Sequence, residues 1–222
     1  MAVALLARRP ESLSDIARNL SETSPGSIVE VFPTDTKPEN LKKAFQSIKT
    51  HPSFKDLKLK VAVYSVKHSR KIPFMSETYN DFTQSLEDYV GGAFIFSQEA
   101  LARFFADHGE APLSETGEKK GTIIFTGTLG ALRCNAEYAA YGAGRSSVRQ
   151  LAQTLAREMS AKGIHVVHTV ANGAIEDKQG EDQRIGNKMS ADAVGKTYLW
   201  LSQQEPELWT HELDLRPAAE KF

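Results

Sequence analysis

At 222 residues, 41% hydrophobic and 25% charged, the chain is ordinary for a globular protein, and its length suits one domain spanning residues 1–222 rather than two. Its 27 basic and 28 acidic side chains leave a formal net charge of −1, so no nucleic-acid partner and no anionic membrane surface is implied by bulk attraction. Cys134 is the single cysteine, which excludes an intramolecular disulfide and points to a reducing, cytoplasmic setting. The apolar runs are short, far below the ~20 residues needed to cross a bilayer. Arg8 and Arg9 follow the apolar Ala2–Ala7 instead of preceding it, which is the wrong order for a signal peptide.

In chain order, Val3–Ala7 reads as a short apolar strand. Pro10 and then Ser12-x-x-Asp15, a capping-box-like start, lead into a helix through about Leu20. Ser24-Pro25-Gly26 makes a turn, and Ile28–Phe32 is a second strand. Pro38 to Ile48 reads as a helix with Leu41, Phe45 and Ile48 on one face, and Val61–Ser65 as a third strand. Thr78 to about Asp107 carries apolar residues at helical spacing over its whole length, followed by a polar loop from Gly109 to Lys120. Gly121–Phe125 is a fourth strand, Asn135–Lys162 a second long helix, and Ile164–Val170 a fifth strand. Ser190–Gln203 is a further helix, and His211–Leu215 a last short strand. Near-continuous Val/Ile/Leu strands alternating with helices predict a parallel sheet covered on both faces. Right-handed crossovers then give an α/β, doubly wound, Rossmann-like arrangement.

The chemistry concentrates between Gly121 and Ile175. A strand is followed by a turn carrying Thr126 and Thr128, and thirteen residues after Thr128 comes Tyr141. Arg145 lies one helical turn beyond Tyr141 on the same face, and the next strand ends in Asn172-Gly173. A phenol with a pKa of about 10 exchanges protons poorly near neutrality, and a nearby cation favours its ionised form.

This order resembles the short-chain dehydrogenase/reductase family, which places a Ser at the strand end, Tyr-x-x-x-Lys on the next helix and Pro-Gly after the following strand. The resemblance covers essentially the whole chain. It implies catalytic roles for Tyr141 as acid/base, Arg145 as the neighbouring cation and Thr128 as the partner of the substrate oxygen. The strand ending Ala7-Arg8-Arg9 looks like the family's second strand, and Thr34-Asp35 like its adenine-contacting Asp. The resemblance thus implies that Arg8, Asp35, Tyr141, Arg145 and Gly173 contact a nucleotide, NADP or else NAD, with the arginines favouring NADP through its 2′-phosphate. It also implies a small-molecule substrate with a carbonyl or alcohol, and a homodimer or homotetramer built through the helices around Tyr89–Phe105 and Tyr141–Met159.

Several positions depart from the family pattern. Arg145 stands for Lys, and Arg is planar and bulkier. Tyr89 falls where the family has a helix Asn, Asn172 replaces Pro, and Lys67 and His68 occupy a turn that usually presents glycine. The first glycine in the chain is Gly26, so no Gly-x-x-x-Gly-x-Gly precedes the first strand. The sequence is expected to begin one βα unit late, which leaves two strands with open edges and makes nucleotide binding doubtful. Two other readings stay open: a non-catalytic partner or regulator with the same fold, and a cofactor-independent isomerase, cyclase or dehydratase. His68, Arg70 and Lys71 read as a solvated basic loop. The six histidines show no metal spacing, with His165 and His168 expected on opposite faces of one strand. Cys134 reads as an inert thiol, and Ile175–Met189 as the polar loop that sets substrate choice.

Overall fold

The computed structural model describes residues 1–66, 69–178 and 180–220. Lys67 and His68 of the basic turn and Gln179 of the polar loop lie outside the described residues. The chain alternates strand and helix: β1 (Ala2–Ala7), α1 (Pro10–Thr23), β2 (Ile28–Pro33), α2 (Pro38–Thr50) and β3 (Val61–Tyr64). Then come α3 (Tyr79–Leu86), α4 (Gly92–His108), the single-turn α5 (Leu113–Thr116), β4 (Gly121–Gly127), α6 (Ala139–Met159) and β5 (Ile164–Ala171). The C-terminal part holds β6 (Ile175–Glu176), α7 (Glu181–Arg184), β7 (Met189–Ser190), α8 (Ala191–Gln203) and β8 (Glu212–Leu215).

Among the described residues every strand pairing is parallel. One sheet has the order β3-β4-β5-β8, and β1 pairs with β2 in a separate two-stranded sheet. Among the described residues β1 and β3 each have one partner strand, so each keeps an open edge. The two sheets are tied through their helices, with Phe45 of α2 meeting Phe96 of α4 edge to face at 5.6 Å. At the carboxyl ends of β2 and β3, a Cβ on Gly92 would stand 2.6 Å from Cβ of Thr36 and 2.8 Å from the Tyr64 hydroxyl. These strand ends therefore converge at the start of α4.

The central strands are apolar because both faces are covered. All eight residues of β5 are buried, as are all of β4 except the half-buried Thr126. Ile123, Phe125, Ile164 and Val166 turn to one face against Phe104 of α4 and Val148 and Ala152 of α6. Ile124 and Val167 turn to the other, against Leu201 and Tyr198 of α8. Phe104 is fully enclosed at 0% exposure. Phe104→Ala is expected to lower unfolding free energy by about 3–5 kcal/mol, since it removes buried area and leaves a cavity. A fall in the urea midpoint at unchanged m-value is the check.

Three sequence expectations need correction. Helix α1 starts at Pro10, with no side-chain cap, because proline needs no partner for its missing N–H at a first helical position; Ser12 and Asp15 lie inside it. The single long helix expected from Thr78 is interrupted at Glu87–Gly91 by one turn of π-helix. Its start is as read, with Thr78 Oγ1 accepting from the Asp81 N–H at 3.1 Å. The second long helix opens at Ala139, not Asn135, after a turn in which Glu137 has φ +70°. Among the described residues no helix is long and apolar enough to cross a membrane.

Candidate active site

Three of the sequence-derived residues come together at the carboxyl end of β4 and the start of α6. Thr128 leaves the strand in extended conformation, and its Oγ1 accepts from the Gly130 N–H at 3.3 Å. The same oxygen is hydrogen-bonded to the Tyr141 hydroxyl. Gly130 is needed here, because a Cβ would overlap the Tyr141 ring. The ring of Tyr138 meets that of Tyr141 edge to face at 5.7 Å. The thirteen-residue spacing is thus spent on a loop that doubles back and lays the phenol on the strand-end hydroxyl.

Arg145 lies one turn further along α6, and its environment differs from the family expectation. The residue is 4% exposed. Its Nη1 donates to the Tyr89 hydroxyl at 2.6 Å and to the Thr126 carbonyl at 3.2 Å, and Nη2 donates to the Val66 carbonyl at 3.4 Å. The guanidinium carbon sits 4.4 Å from the Tyr89 ring centre and 5.2 Å from that of Tyr141. Among the described residues no hydrogen bond joins it to the Tyr141 hydroxyl, so the cation faces the ring. Tyr89 is the neighbour of Arg145 that sequence reasoning missed by treating it only as a lost Asn. The signal available was the Gly91-Gly92 pair, which marks a break in an otherwise regular helix. Burial raises the phenol pKa of Tyr89 above its ordinary value.

The remaining residues divide by location. Gly173 follows β5 at φ +139°, and a Cβ there would stand 2.7 Å from Cδ of Pro217, so both backbone and space require glycine. Asn172 donates from Nδ2 to Glu220 at 2.8 Å, closing the C-terminal segment over the same strand end. Arg8 is exposed beyond the end of β1. Asp35 Oδ1 accepts from Asn40 Nδ2 at 2.8 Å and from the Lys37 N–H at 3.0 Å, which holds its carboxyl below the usual range and ties off the entry to α2. Arg8 and Asp35 lie just past the ends of β1 and β2, Thr128 and Gly173 just past β4 and β5 of the larger sheet, and Tyr141 and Arg145 on α6. Tyr198 of α8 links the ends of β4 and β5 by hydrogen bonds to Thr126 at 2.9 Å and Thr169 at 2.8 Å.

Two clefts adjoin these residues. One, of about 450 Å³, is bounded by Phe74, Leu132, Cys134, Tyr138 and Ser146, around the loop that leads into α6. The other, of about 590 Å³, lies between the 175–189 loop, α8 and the C-terminal segment, beside Met189 and Pro217 that flank Gly173. Lys188 organises that loop by bridging Glu176 and Asp182 at 2.8 Å each. Burial pushes the Cys134 thiol up, which disfavours the thiolate a nucleophile needs. Among the described residues no three His, Cys, Asp or Glu side chains converge as a metal site.

Parallel strands alternating with helices, with a hydroxyl and a phenol at one strand's carboxyl end, place the chain in the α/β, Rossmann-like class, whose ligands sit outside such strand ends. The family model for short chain dehydrogenase matches residues 1–185. The chain belongs to that family. No curated protein matches the sequence. Among solved structures, a short-chain dehydrogenase from Rhodopseudomonas palustris superposes with a TM-score of 0.75 at 22% identity, covering 98% of this chain and 87% of its own. An alcohol dehydrogenase from the archaeon Thermococcus sibiricus, complexed with 5-hydroxy-NADP, gives 0.77 at 18% identity over 99% of this chain and 87% of its own. An NADPH-bound short chain oxidoreductase from Pseudomonas aeruginosa PAO1, described as containing an atypical catalytic center, gives 0.75 at 16% identity over 100% and 88%.

Proposed function

We propose that this protein is a cytoplasmic, NADP(H)-linked oxidoreductase that interconverts a carbonyl and an alcohol in a small organic molecule. The observation that carries the reading is the hydrogen bond between Thr128 Oγ1 and the Tyr141 hydroxyl at the end of β4. Because the Gly130 N–H already donates to Thr128 Oγ1, the Thr128 proton can be given to the Tyr141 oxygen. The phenol proton is then left for a substrate oxygen. When bound, a nicotinamide nucleotide supplies or accepts the hydride at the substrate carbon. Tyr141 gives the proton to the developing alkoxide in reduction and takes it back in oxidation. Arg145 adds positive potential beneath the Tyr141 ring, where charge appears as the proton leaves.

The residues present fit a nucleotide in part. Gly173 brings backbone close to the strand end, and Arg8 offers an exposed cation suited to a 2′-phosphate. Arg145 does not fit a ribose-binding role, because its Nη groups are taken by Tyr89, Thr126 and Val66. That same observation favours a second reading, a non-catalytic relative that keeps the fold as a partner. The nucleotide-bound Thermococcus and Pseudomonas structures support the first. A homodimer or homotetramer through α4 and α6 is part of the proposal, with Phe94, 49% exposed on α4, available to such a contact.

The test is consumption of NADPH, and separately NADH, on addition of a panel of small aldehydes and ketones. Turnover of at least one, faster with NADPH, is expected. Binding of nucleotide without turnover of any compound in either direction would favour the non-catalytic reading.

A further inference from the structure

We infer that Tyr89 is the positioning residue for Arg145, fixing its guanidinium between two phenol rings, and that Gly144 is the residue that makes room for the Tyr89 ring. The inference concerns the site read above and rests on that reading only for its catalytic consequence. A guanidinium that is 4% exposed must be matched, and among the described residues no carboxylate lies within ion-pair distance of it. Of its three acceptors among the described residues, Tyr89 is the nearest, at 2.6 Å, and the one side chain. The two carbonyls, at 3.2 and 3.4 Å, are weaker partners. The Tyr89 ring adds a cation–π contact at 4.4 Å in a site closed to water, where such contacts are strongest.

The position of Tyr89 is itself over-determined. The π turn at Glu87–Gly91 inserts an extra residue into the helix and turns Tyr89 inward, to 3% exposure. Its carbonyl accepts from the Tyr64 hydroxyl at 2.9 Å. On the facing helix, a Cβ at Gly144 would stand 3.2 Å from Cδ1 of Tyr89, so any other residue there would push the ring. Tyr89, Gly144 and Arg145 therefore work as one unit. Its effect is to hold the positive charge against the Tyr141 ring.

The experiment is NMR of arginine side-chain Nη–H groups, with the Arg145 signal assigned by its loss in Arg145→Lys. In the unaltered protein, rotation of the Arg145 Nη groups is expected to be slow and their protons resolved. Tyr89→Phe keeps the ring and removes the acceptor, and should speed that rotation by roughly ten- to hundredfold, the equivalent of one hydrogen bond to a charged group. Gly144→Ala leaves all three polar groups intact and should broaden the same signals by displacing the ring. It also serves if Tyr89→Phe does not fold. Unchanged Arg145 signals in both folded variants would overturn the inference. If nucleotide turnover is absent while Tyr89→Phe still releases the Arg145 signal, the positioning stands and the oxidoreductase reading fails. Where turnover is present, its pH profile should shift in Tyr89→Phe, which a purely packing role for Tyr89 would not produce.

Discussion

Tyr141→Phe is expected to reduce turnover by about 10²–10⁴-fold, the usual range for loss of a positioned general acid/base. The change removes one oxygen from a half-buried ring, so folding stability should alter by less than about 1 kcal/mol. Thr128 loses its partner but keeps the Gly130 N–H at 3.3 Å. The substrate-oxygen contact therefore survives and the loss should fall on kcat more than on KM. Nucleotide-dependent turnover and a melting curve on the same preparation separate the two effects. Tyr138 is the necessary control, since its ring meets Tyr141 at 5.7 Å and it is the nearest alternative phenol. Tyr138→Phe should leave most of the activity. A reversed result, with Tyr138 essential and Tyr141 dispensable, would move the acid/base to the other side of the loop.

Acidification should destabilise the protein well above the range in which carboxylates titrate. His165 and His168 on β5 are 0% and 1% exposed, and burial lowers the pKa of each to about 4. In the unfolded chain each returns to about 6.5. The folded state thus binds protons more weakly, its advantage is complete above about pH 6.5, and it is lost as pH falls toward about 4. At about pH 5 each histidine should cost about 2 kcal/mol, roughly 4 kcal/mol together. The groups around them do not cancel this. Glu212 lies 3.7 Å from Nδ1 of His168, but Arg149 holds that carboxylate in a two-pronged pair at 2.6 and 2.9 Å, and Arg145 also opposes protonation. His165 stacks on Trp209 at 5.3 Å with Lys119 and His211 nearby, both disfavouring its charge. Near neutrality the His168–Glu212 contact is therefore not an ion pair. Urea unfolding at about pH 7.5 and about pH 5 measures the difference, and His168→Gln should remove about half of it. Equal midpoints at the two values would show that these imidazoles are not held neutral.

Much of the architecture was legible because parallel strands buried on both faces must be nearly continuous in apolar residues. Val61–Tyr64, Gly121–Gly127 and Ile164–Ala171 could be read that way directly. The thirteen residues from Thr128 to Tyr141 were legible as strand end, loop and helix, and the loop brings the two hydroxyls together. The opposite facing of His165 and His168 followed from strand alternation, and the two core clusters bear it out. What could not be read depends on non-local contact. Arg145 and Tyr89 are 56 positions apart, and nothing in the spacing says that the Tyr89 hydroxyl accepts from the Arg145 guanidinium. The π turn at Glu87–Gly91 hid inside a regular apolar period, because one inserted residue shifts the phase without breaking the pattern. The two-residue pairing of β6 with β7 depends on a polar loop closed by Lys188, where charge pairing and not hydrophobic period sets the shape.

The central claim is that this chain works on a nicotinamide nucleotide with Tyr141 at the reacting end. Calorimetric titration of monodisperse protein with NADPH, and separately NADH, tests it most directly. Saturable binding in the micromolar range, tighter for NADPH and weakened in an Arg8→Ala variant, is the predicted result. A folded protein that takes up neither nucleotide would contradict the claim and leave the fold serving a partner or a cofactor-free reaction.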